Sequence, residues 1–78
     1  MPKYIMSGKE YLVQTPEELL EQIKDESPFT KDLSLQAYID NVAANVINSM
    51  TQYHITAPAK AKNIVEIWEK IGMVEVVN

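Results

Sequence analysis

The sequence predicts an α+β domain in the order β-β-α-α-α-β. Three observations predict it. Strand-forming residues flank Ser7-Gly8 near the N-terminus, three stretches between Thr15 and Ile71 carry helical signals, and a valine-rich segment follows Gly72. A lone C-terminal strand cannot satisfy its own backbone groups. It is therefore expected to join the N-terminal hairpin in a small, mostly antiparallel sheet, with the three helices on one face.

Lys3 to Val13 reads as the hairpin. Tyr4, Ile5 and Met6 form one arm, and Tyr11, Leu12 and Val13 the other. Gly8 supplies the positive φ that a tight turn between them requires. Thr15-Pro16-Glu17-Glu18 is the clearest local signal in the chain. Thr15 suits an N-cap, Pro16 a first helical position, and Glu18 completes a T-x-x-E capping box. The first helix should run from Pro16 to about Asp25, burying Leu19, Leu20 and Ile23. Ser27-Pro28 stops it, and Phe29 is expected to enter the core as a loop anchor.

The second helix is expected from Asp32, as N-cap, to about Tyr53. At 100° per residue Leu35, Ile39, Val42, Val46, Met50 and Tyr53 share one side, widened by Ala43 and Ile47. After the connector His54-Ile55-Thr56-Ala57, Pro58 fits the start of a third helix running to Ile71. Ala61, Ile64, Trp68 and Ile71 form its apolar face, and Trp68 should be largely buried against the second helix. Gly72 closes that helix in the left-handed conformation. Met73 to Val77 is the final strand.

The chain has 78 residues, about half of the ~150 used as a soft prior for one domain. A single domain spanning 1–78 is expected. With 46% hydrophobic and 23% charged residues the composition is that of a globular chain. A domain this small buries only roughly 60–65% of the surface its unfolded chain exposes. It has no cysteine, so neither a disulfide nor a thiolate metal site can support it. Association with another chain is the remaining support. The N-terminus lacks the apolar core of a signal peptide, and no apolar run approaches the ~20 residues that span a bilayer. The expectation is a cytoplasmic protein that does not engage a membrane.

Seven lysines stand against eleven acids, a net charge of −4, and there is no arginine. Nucleic-acid affinity comes largely from neutralised phosphates, and arginine is the commonest reader of guanine edges. An acidic chain without arginine is a poor candidate for that role. Charge is also uneven: residues 33–56 carry a single charge, Asp40.

No motif supplies a complete catalytic constellation, so the chain is not expected to be an enzyme. His54 is the only histidine, and nothing in its spacing links it to a nucleophile or to further metal ligands. Glu17, Glu21 and Asp25 make a row at i, i+4, i+8 but lack the loop of a calcium site; a solvated helix face is the simpler reading. Ser7-Gly8-Lys9 departs from phosphate-loop spacing and reads as a turn. Neither a metal nor a cofactor is expected.

The polar side of the second helix is the most informative feature. Asn41, Asn45, Asn48 and Gln52 fall within roughly 60° of one another, away from the core, with Tyr38 beside them. Exposed helix faces usually carry Lys and Glu, whereas interface centres are poor in charge and rich in Tyr. These five residues are the candidate interface of a small, non-enzymatic protein-interaction domain. Its partner would be another protein or a second copy of the chain in a homodimer. The alternative is an accessory nucleic-acid-binding or transcription-regulatory module. It would use Lys60, Lys62 and Asn63, whose helix start could hold an anion.

Overall fold

The computed structural model describes residues 3–77. Its elements are β1 (Lys3–Met6), β2 (Lys9–Leu12), α1 (Pro16–Asp25), α2 (Leu35–Val42), α3 (Asn48–Met50), α4 (Ala61–Lys70) and β3 (Glu75–Val77). One π-helical turn, Ala43–Ile47, joins α2 to α3 into a single continuous helix. This is the expected α+β order.

The hairpin turns at Ser7 and Gly8, both with positive φ. Tyr4 pairs with Tyr11, and Lys3 with Leu12. β3 lies antiparallel on the other side of β1, with Tyr4 opposite Val76, so the sheet order is β2-β1-β3. Alternation along the strands then sorts the side chains. Tyr4, Tyr11, Val13 and Val74 are buried and join Leu19, Leu20, Ile39, Ile47, Ile64 and Trp68 in one core. Lys3, Ile5, Glu10, Leu12, Glu75 and Val77 occupy the opposite face.

α1 begins as its residues dictate. Thr15 Oγ1 accepts from the Glu18 N–H at 3.2 Å. Glu18 reaches back one residue further than a standard capping box, accepting from the Gln14 N–H at 3.1 Å. α4 ends in a Schellman motif. Gly72 has φ +83, its N–H bonds to the Glu69 carbonyl, and the Met73 N–H bonds to the Trp68 carbonyl at 2.8 Å.

Four expectations are corrected. The second helix starts at Leu35 with Ser34 as N-cap, because Ser34 Oγ accepts from the Ala37 N–H and residues 27–33 are already held in tight turns. It stops at Met50, where Thr51 adopts an extended conformation. Met50 therefore has no following turn to cover it and is 76% exposed. The last helix starts at Ala61 rather than Pro58, because both backbone polar groups of Ala59 are held by side chains of α2. Finally, Phe29 lies outside the core at 90% exposure.

The π turn explains the burial pattern of the long helix. Its wider ring, in which the Asn48 N–H bonds to the Ala43 carbonyl, turns the chain less per residue than an α-helix does. Side chains beyond it lag behind the 100° wheel. Ile47 becomes the fully buried residue, and Val46 moves to the margin.

Candidate functional site

The same lag decides what happens to the amide row. Asn48 rotates off the solvent side toward the segment that follows the helix. Its side chain grips Ile55 at both backbone groups: Nδ2 donates to the carbonyl at 2.8 Å, and Oδ1 accepts from the N–H at 2.6 Å. More than two turns earlier, Gln36 and Asp40 treat Ala59 in the same way. Gln36 Nε2 donates to the Ala59 carbonyl, and Asp40 Oδ1 accepts from its N–H, each at 2.8 Å. Residues 53–60 have no regular structure of their own. Polar side chains of the helix supply hydrogen bonds that a sheet or helix would otherwise provide.

The five candidate interface residues therefore do not form one free face. Tyr38 is 9% exposed and belongs to the core, where burial, and then the Glu26 charge, push its hydroxyl pKa up. Asn48 is held by Ile55. Asn41 and Asn45 are exposed on the long helix, and Gln52 is exposed beyond its end. Lys60, Lys62 and Asn63 are all exposed at the start of α4, where Lys62 lies 3.9 Å from Glu66. Other lysines also have acidic neighbours: Lys3 lies 3.6 Å from Glu10, and Lys9 pairs with Glu26.

The loop between α1 and α2 was not singled out as a site by sequence. Lys24, in the last turn of α1, is only 4% exposed. Its ammonium donates to the Lys31 carbonyl and to Asp25 Oδ1, both at 2.8 Å. Thr30 Oγ1 donates to the Lys24 carbonyl at 2.7 Å, so the two ends of the loop are tied together. Inside it, the Thr30 and Lys31 N–H groups reach the Ser27 carbonyl, and the Phe29 N–H reaches Ser27 Oγ at 3.3 Å. These bonds fix the turn with Phe29 pointing outward. The only available signal was the Pro28-Phe29 pair among turn-forming Ser and Thr.

An open cleft of about 260 Å³ separates α4 from the segment Tyr53-His54-Ile55. Asn63, Glu66, Ile67 and Lys70 form its α4 wall. His54 thus lines a groove, exposed to solvent. Among the described residues no three His, Cys, Asp or Glu side chains gather to hold a metal. No helix among them is long and apolar enough to cross a membrane.

Comparison of the chain with protein-family models, curated proteins and solved structures finds no match.

Proposed function

We propose that this chain is a small, non-enzymatic, cytoplasmic interaction domain that docks a protein partner through the loop between α1 and α2, with Phe29 as its anchor. One observation carries the reading: an aromatic side chain 90% exposed on a backbone held by hydrogen bonds from its own flanks. A single exposed apolar residue is ordinary. The support beneath this one is not. Burying an ammonium is costly unless it is well paired, yet Lys24 is buried and pins the loop. Aromatic anchors dominate interface energetics. A loop already ordered before binding loses less entropy when it docks.

Lys24 pairs with Asp25 and Lys9 with Glu26, so the loop carries little unbalanced charge and the matching partner surface is an apolar pocket. The net charge of −4 opposes a nucleic-acid partner. So do the acidic neighbours of Lys3, Lys9 and Lys62, which break up any basic stripe around Lys60. Asn41 and Asn45 supply a further exposed contact on the long helix, the surface through which a second copy would associate.

The test is site-specific photo-crosslinking in cells. A photoreactive phenylalanine analogue at position 29 should give a discrete adduct with another protein. The same probe at Gln22, exposed on α1, should not. Absence of an adduct at position 29, or the same adduct from both positions, would overturn the proposal. Sedimentation of the purified chain then asks separately whether it self-associates, and Asn41→Lys should abolish any dimer built on the long helix.

A further inference from the structure

Segment 53–60 has two different sides. Toward the long helix its backbone is held by Gln36, Asp40 and Asn48. Toward α4, the side chains of His54 and Asn63 make no hydrogen bond to protein among the described residues. Glu66 and Lys70 stand four apart on α4, the spacing and order that favour an ion pair on a helix. They do not form one. Lys70 Nζ sits 5.7 Å above the Tyr53 ring instead, and Glu66 has Lys62 at 3.9 Å on its far side. Two opposite charges are thus held apart along one groove wall, with the apolar sides of Ile55 and Ile67 in the same groove.

We infer that this groove binds an extended segment of a partner protein in which an acidic and a basic side chain stand two residues apart. The inference rests on the interaction-domain reading but uses a surface other than Phe29. Four residues of α-helix advance ~6 Å. Two residues of extended chain advance ~6.6 Å and bring both side chains to the same side. The acidic side chain then meets Lys70 and the basic one Glu66. Ile55 and Ile67 cover their aliphatic stems. Asn63, one turn before Glu66 on α4, and His54 on the facing segment leave polar side chains in the same groove for the peptide backbone. The cation–π contact with Tyr53 keeps Lys70 from collapsing onto Glu66 before the ligand arrives. At about 260 Å³ the groove falls below the ~300–1,000 Å³ of sites that enclose a drug-sized ligand. That size suits a passing segment of chain.

The experiment is an NMR titration of the isotope-labelled full chain with a blocked peptide, acetyl-Gly-Glu-Val-Lys-Gly-amide. Two controls replace its Lys by Glu or its Glu by Lys. Saturable shifts confined to residues 53–55 and 63–70, with a Kd in the millimolar range, are expected. Either like-charged control should bind at least about tenfold more weakly. Lys70→Ala should weaken the mixed-charge peptide to a similar degree while leaving the spectrum of the sheet and α1 unchanged. The inference is overturned if no shift saturates, if the like-charged peptides bind equally well, or if Lys70→Ala has no effect. Phe29→Ser should leave the titration intact, so the groove and the loop anchor stand or fall separately.

Discussion

Trp68 is 3% exposed, and its indole N–H is buried without a hydrogen-bond acceptor among the described residues. Two effects oppose each other at this one side chain. Its packing is a large stabilising contribution, and truncation to alanine should cost about 3–5 kcal/mol. Its orphan donor is a cost, typically ~1–3 kcal/mol for a buried unpaired group. Trp68→Phe removes the donor and keeps most of the ring, so it should lose far less stability than Trp68→Ala. Urea unfolding followed by circular dichroism would compare the two, and equal losses would show that the orphan donor costs little. The burial of Trp68 was legible because it sits on a helical stripe with Ala61 and Ile64. Phe29, Tyr38 and Met50 were not legible at this scale. Hydrophobicity reports what a side chain prefers, while its position depends on turns and helix ends set by other residues. For Phe29 those residues are Lys24, Ser27 and Thr30.

Among the elements, those with local signals were readable and those shaped by distant side chains were not. α1 needed only Thr15, Pro16 and Glu18, and the end of α4 only Gly72. The long helix defeats the 100° wheel because a π turn at Ala43–Ile47 shifts every later residue. No residue type in Ala-Ala-Asn-Val-Ile announces such a turn. The amide row looked like an interface because the wheel placed Asn48 in solvent, whereas the shifted helix sets it against Ile55. Its replacement by alanine should therefore act on stability. Two hydrogen bonds would vanish and two backbone groups of Ile55 would lose their partners, a cost of about 1–3 kcal/mol. Hydrogen exchange offers a local check, since the Ile55 amide should lose protection in Asn48→Ala while the amides of α1 change only with global stability. Unchanged exchange at Ile55 would mean that the connector is held mainly by the packing of Ile55 and Tyr53.

Over the whole molecule, the sheet and its helices were legible because the strand signals at the two ends had no other partner. The tie between them was not, since Lys9, Tyr11 and Glu26 lie far apart in sequence and none belongs to a motif. Glu26, just past α1, accepts from the Tyr11 hydroxyl at 2.9 Å and pairs with Lys9, whose ammonium also lies 5.1 Å from the Tyr11 ring centre. This cluster couples β2 to the end of α1, and it makes folding depend on pH at both extremes. Hydrogen bonds from Lys9 and Tyr11 hold the Glu26 carboxyl below the usual glutamate range. Stability from that group is present above the unfolded pKa and is lost as pH falls through the depressed one. Tyr11 behaves oppositely: burial, together with its bond to Glu26 and the negative charge there, pushes its pKa up to about 12. Its contribution is complete below the ordinary tyrosine pKa of about 10 and is lost as pH rises toward 12. Burial raises the hydroxyls of Tyr4 and Tyr38 as well, which steepens the alkaline limb. Thermal melts should therefore show a plateau through neutral pH, with Tm falling below about pH 4 and above about pH 10. Glu26→Gln should lower the plateau and flatten the acid limb. Tyr11→Phe should leave the acid limb standing through Lys9 and soften the alkaline one. A wild-type alkaline limb that survives Tyr11→Phe unchanged would move the pH dependence away from this cluster and onto Tyr4 and Tyr38.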